Sequence, residues 1–159
     1  MYSVMFLTNM IPVIRLLGMA AAALLLVGAI PATFAGELKL EAQLIWGTND
    51  KNSPNPKHKA VEPDVEKRLK NLPFKWSNYF EVNRQQVKVP PAEAQRVKMS
   101  EECEVLIKQV GNGQVEVTLL GKGKQVGKIT QALPKKELLL VGGNAPNFTA
   151  WFVALRPVE

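Results

Sequence analysis

Cys103-Glu104-Val105-Leu106-Ile107-Lys108-Gln109-Val110-Gly111-Asn112-Gly113-Gln114-Val115-Glu116-Val117-Thr118-Leu119-Leu120 reads as two alternating runs joined by a glycine turn. Alternation with period two is the mark of a half-buried strand, and a Gly/Asn break between two such runs is the mark of a hairpin. Two registers compete. A two-residue Asn112-Gly113 turn pairs Val110 with Val115, which sets Lys108 against Val117 and Ile107 against Thr118 and mixes the two faces. A three-residue loop, Gly111-Asn112-Gly113, pairs Val110 with Gln114. It sets Ile107 against Val117, Val105 against Leu119 and Lys108 against Glu116. Cross-strand pairs contribute roughly 0.2–1 kcal/mol each, so several agreeing pairs decide a register. The three-residue loop is expected, with Gly113 in the left-handed conformation of a bulge.

The same punctuation recurs on both sides of this hairpin. Gly121-Lys122-Gly123 precedes a strand over 124–132, Pro134-Lys135-Lys136 one over 137–141, and Gly142-Gly143-Asn144-Ala145-Pro146 one over 149–156. Upstream lie strands over 95–99 and over 80–89, the latter stopped by Pro90-Pro91. A strand over 38–46 alternates Leu38, Leu40, Ala42, Leu44 and Trp46 with Lys39, Glu41, Gln43 and Ile45, one face being buried. Pro63 at a first helical position, acidic Asp64 and Glu66, then basic Lys67, Arg68 and Lys70 predict a short helix over 63–71. Val65 and Leu69, four apart, share the face that docks it. Strands at this spacing make an all-β domain, a small sandwich of about 7–8 short antiparallel strands with one short helix. The expected buried set is Leu40, Leu44, Trp46, Leu69, Val105, Ile107, Val117, Leu119, Leu139 and Phe152. No internal repeat is present.

Residues 1–35 read as a signal peptide. Arg15 precedes the apolar run 16–30, Pro31 breaks it, and Thr33-Phe34-Ala35 places small residues where a signal peptidase cuts. The run has 15 residues, against roughly 20 for a membrane span. Cleavage is expected after Ala35, leaving a single domain over 36–159. An uncleaved anchor and a start at Met10 are the rival readings. The expected location is periplasmic or secreted, with the membrane met only transiently through the leader. Only Arg15 of the charged residues is lost, so 19 basic and 14 acidic groups remain, a net +5. The lysines are scattered among glutamates and no nucleic-acid motif occurs, so a nucleic-acid partner is not expected.

Catalytic equipment is scarce. The one cysteine, Cys103, shares a strand face with Val105 and Ile107 and reads as an inert buried thiol. The one histidine, His58, sits in the polar loop Asn52-Ser53-Pro54-Asn55-Pro56-Lys57-His58-Lys59, so a Cys–His dyad is not expected. Gly121-Lys122-Gly123-Lys124-Gln125-Val126-Gly127-Lys128 fits neither the dinucleotide fingerprint nor the P-loop. It reads as a glycine hairpin with solvated lysines. Neither a metal nor a cofactor is expected. Residues 74–80 hold Phe74, Trp76, Tyr79 and Phe80. They either plug the core and open a strand, which is preferred, or form an exposed ligand platform.

The segments Leu44-Ile45-Trp46-Gly47-Thr48-Asn49-Asp50, Pro73-Phe74-Lys75-Trp76-Ser77-Asn78-Tyr79-Phe80 and Thr149-Ala150-Trp151-Phe152 together resemble small exported bacterial proteins of uncharacterised function. The resemblance covers most of residues 36–159 and implies a cell-envelope setting and no activity. The reading that follows is a non-enzymatic envelope module that binds a protein or glycan. The contact surface is expected in the 49–59 loop and around Trp76, with Lys51, Lys57, His58, Lys59, Trp76 and Tyr79 as binding residues. The alternatives are a carboxylate-dependent hydrolase of envelope material, which requires two acids with raised pKa values in a concave pocket, and a weak polyanion binder.

Overall fold

The computed structural model describes residues 36–145 and 147–158. The leader expected over 1–35 lies outside the described residues. The elements run β1 (Leu38–Thr48), β2 (Lys59–Ala60), α1 (Pro63–Lys70), β3 (Asn78–Val89), β4 (Ala94–Lys98), β5 (Cys103–Gly111), β6 (Gln114–Gly121), β7 (Lys124–Ala132), β8 (Leu139–Asn144) and β9 (Ala150–Pro157). They form two antiparallel sheets. One has the order β2-β3-β1-β9-β8, and the other is the meander β4-β5-β6-β7.

The two sheets share one apolar layer. Leu40, Ala42 and Leu44 of β1, Val87 and Val89 of β3, and Val153 and Leu155 of β9 meet Val97, Val105, Ile107, Val117 and Leu119 of the second sheet. Burying side chains of this size contributes about 1.5–3 kcal/mol each, which is why the alternating pattern was readable at all. A second layer covers the opposite face of the first sheet. Val65 and Leu69 of α1 join Val61, Tyr79, Ile45, Phe152 and Ala154 there. Strand β1 is therefore buried on both faces, Gln43 and Ile45 included. Its alternation suggested one buried face, because the second cover comes from a helix that the strand's own pattern does not reveal.

The all-β class with one short helix is observed, with three differences in detail. The described residues hold nine strands, not seven or eight: two-residue β2 lies inside a stretch that read as loop. Two strands are also long, with 11 residues in β1 and 12 in β3, because they follow each other along the sheet. Trp46 is half-buried, its ring 6.0 Å from Phe80 and 6.3 Å from His58 at the end of the sheet.

The body of the β5–β6 hairpin has the expected register, with Ile107 opposite Val117, Val105 opposite Leu119 and Lys108 opposite Glu116. The turn differs in detail. Gly111 pairs with Gln114, so only Asn112 and Gly113 turn, and the bulge falls at Val110 rather than at Gly113. Gly111, Asn112 and Gly113 all have positive φ (88°, 52° and 69°). A turn of two left-handed residues matches the strand twist, and the bulge restores the facing of the apolar pairs.

Candidate functional site

The ends of β1, β3, β8 and β9 meet at one end of the first sheet, and a group of aromatic rings gathers there on the face away from the second sheet. Phe152 of β9 is the floor. Phe74 lies 4.9 Å from it, Trp76 6.0 Å in edge-on contact and Tyr79 6.2 Å away, measured between ring centroids. Phe74 and Trp76 lie 5.9 Å apart. Gly47 of β1 makes room for this floor, because a Cβ there would sit 3.2 Å from Phe152 and 3.3 Å from Tyr79. Such ring pairs add about 0.5–1.5 kcal/mol to their burial.

The Phe148 backbone is tied to this group. The Trp76 Nε1–H donates to the Phe148 carbonyl oxygen at 2.9 Å. Thr149 Oγ1 donates to Asn147 Oδ1 at 2.6 Å. Ala145 N–H donates to the Thr149 carbonyl at 2.9 Å. Held this way, the Phe148 side chain is 93% exposed while its φ is +60°. The 49–50 corner is tied to the same place. Asn49 Oδ1 accepts from the Ser77 backbone N–H at 3.0 Å and from its hydroxyl at 2.9 Å, and Asn78 Nδ2 donates to the Asp50 carbonyl at 3.0 Å.

A second feature lies at the β2–β3 edge. A cleft of about 510 Å³ is lined by Lys57, Lys59, Ala60, Glu62, Glu81, Val82, Asn83 and Arg84. Beside it a lattice of ion pairs joins the sheet to the start of α1. Arg84 reaches Glu62 at 2.6 Å, Glu41 at 3.2 Å and Glu81. Arg156 reaches Glu41 at 2.6 Å, Glu62 at 2.8 Å and Asp64 at 3.1 Å. Register explains the assembly. Glu41 is the cross-strand partner of Arg156, and Gln43 that of Arg84, so both guanidinium groups rise from the strands flanking β1. Hydrogen bonds from Arg156 and then Arg84 hold the Glu62 carboxyl below its ordinary value. A proton donor at neutral pH needs a shift in the opposite direction.

The predicted contact residues are thus divided. Trp76 belongs to the aromatic group, and Lys57 and Lys59 line the cleft. Lys51 is exposed and lines neither. His58 is half-buried, with Nδ1 2.7 Å from the Ser53 hydroxyl. Tyr79 needs a correction: it is 4% exposed, and burial pushes its phenol pKa up. It is a core residue and offers no surface to a partner. Cys103 is buried between the sheets, and burial, with Glu104 nearby, pushes its thiol up to about 11. A thiol so protonated is a poor nucleophile.

Sequence reasoning missed Phe148, Glu41, Glu62, Arg84 and Arg156. A phenylalanine inside a Gly/Asn/Pro-rich turn was a legible signal for the first. The ion-pair lattice gave none, because its members are spread from residue 41 to residue 156. Among the described residues, no group of three or more His, Cys, Asp or Glu side chains is placed to hold a metal ion. No described helix is long and apolar enough to cross a membrane. Comparison with protein-family models, with curated proteins and with solved structures finds no match.

Proposed function

We propose that the protein is an exported, non-enzymatic module of the bacterial cell envelope that binds a protein or glycan partner through the Phe74–Trp76 rings and the exposed Phe148, whose carbonyl oxygen accepts from Trp76. The observation that carries this reading is Phe148. A bulky side chain with φ near +60° is an outlier that costs about 1–3 kcal/mol. Here the side chain is 93% exposed, so burial within the chain returns almost nothing. The turn fixes the backbone here, but it does not need a ring, so a phenylalanine at a positive-φ position with no burial supports contact with something outside the chain. The partly exposed Phe74 and half-buried Trp76 lie on the same end of the sheet and are the ring surfaces offered beside it. Asn49, Ser77 and Asn147 supply a polar rim. The Glu62 carboxyl at the cleft is held below its ordinary value, so it does not serve as the raised-pKa acid that the hydrolase alternative requires. The leader read over 1–35 supplies the export.

The test is crosslinking in the native envelope followed by co-purification. Phe148→Asn removes the ring and keeps a residue that tolerates positive φ, so its fold is retained. Recovery of the crosslinked partner should drop at least fivefold. Unchanged recovery would remove the aromatic group as the contact surface. Simultaneous alanine replacement of Lys51, Lys57, His58 and Lys59 reports separately on the basic loop, and unchanged recovery there would exclude that loop from the surface.

A further inference from the structure

We propose that β8 pairs with β8 of a second copy of this chain, antiparallel across Val141, so that the two five-stranded sheets become one. An edge strand leaves a row of backbone N–H and C=O groups without partners, and proteins guard such edges with charge, proline, bulges or brevity. Three of the four edges among the described residues are guarded. Strand β2 has two residues, and the outer edge of β3 that it leaves uncovered carries Arg84 and Lys88. Strand β4 carries Arg96 and Lys98, paired to Glu104 and Glu101. Strand β7 carries Lys124 and Lys128 and a register shift that leaves Val126 out of the ladder. Strand β8, Leu139-Leu140-Val141-Gly142-Gly143-Asn144, has no charged residue, no proline and no register shift against β9.

The sequence of this edge is also self-complementary. Leu139 and Val141 face the layer between the sheets, whereas Leu140 faces the layer beneath α1. A two-fold axis normal to the sheet preserves these faces, so paired residues must have the same parity. With the axis at Val141, Leu139 of one copy meets Gly143 of the other, Leu140 meets Gly142, and Val141 meets Val141. Each leucine then lies across from a glycine. The two glycines have different origins. A Cβ at 142 would sit 2.3 Å from the Trp151 carbonyl oxygen, so the fold itself demands Gly142. A Cβ at 143 would meet nothing within 4 Å, and no positive φ is recorded there. Nothing in the isolated chain requires Gly143, and opposite a leucine of a second copy it leaves that side chain open room.

Five residue pairs form a small seam, so the dimer is weak, with a Kd on the order of 100 µM. Sedimentation equilibrium of the purified protein from about 10 µM to about 1 mM should show the average mass rising toward twice that of one chain. Gly143→Lys, whose folding is checked by circular dichroism, should weaken association at least tenfold. Hydrogen exchange on the unmodified protein should slow at 139–143 as concentration rises, and it decides the matter should the variant not fold. A protein that stays monomeric at the highest concentration overturns the proposal. So does a Gly143→Lys dimer of undiminished strength, or a dimer whose β8 amides exchange as fast as those of the monomer.

Discussion

Phe148 and Gly142 sit at opposite extremes of what a residue does for a fold. Phe148 departs from the favoured backbone region with its ring in solvent, whereas Gly142 exists because a carbonyl oxygen already occupies the place of its side chain. Gly142→Ala forces β8 away from β9, and overpacking of this kind costs typically 1–3 kcal/mol. Urea unfolding should therefore show a loss of at least about 1 kcal/mol. Gly143→Ala, with open space at its Cβ, should fall within about 0.5 kcal/mol of the parent. At this scale the sequence was partly legible. Cys103 read correctly as a buried thiol because its strand neighbours are apolar on the same face. Tyr79 misread as a contact residue because an aromatic-rich segment looks alike whether its rings point inward or outward. Only Gly47, one strand over, shows that the ring has a pocket to enter.

Helix α1 has eight residues, too few to hold together in isolation, and two devices fasten it. Val65 and Leu69 dock on Ile45 and Phe152, so Leu69→Ala should cost about 2–5 kcal/mol, measured as a shift in the urea midpoint. Arg84 and Arg156 fasten its first turn through Glu62 and Asp64. Glu62 titrates below its ordinary 4.5 in the folded chain. The unfolded state therefore takes up the proton first as pH falls. The contribution is fully present above about pH 4.5 and fades as pH drops through the depressed value. Stability measured against pH should show a shallower acid decline in Glu62→Gln than in the parent, and parallel profiles would contradict the role given to this carboxylate. The helix and the β5–β6 register were legible because their signals are local: a proline start, an i,i+4 apolar pair, and opposite charges across a short turn. The ion-pair lattice was not, because it forms only after β1, β3 and β9 have aligned.

For the whole molecule, the decisive pairing is between the first strand and the last. Strand β1 lies between β3 and β9, with Leu44 opposite Val153 and Trp46 opposite Trp151. A chain ending before β9 leaves β8 without a neighbour and opens both apolar layers. Truncation after Thr149 should leave a protein that lacks cooperative unfolding and is cut rapidly by protease. The all-β class and the approximate strand positions followed from turn residues and alternation. The sheet order did not, since contacts between residues more than a hundred positions apart leave no trace in local periodicity. The same limit applies to the aromatic group, which draws on segments around residues 47, 76 and 152. The proposed contact surface rests on the exposed Phe148 ring at a turn of unfavourable φ. The unfolding free energy of Phe148→Asn tests this most directly. Relief of the strained φ with no loss of burial should raise stability by about 1 kcal/mol. A variant less stable than the parent would show that the ring serves the fold and is not held out for a partner.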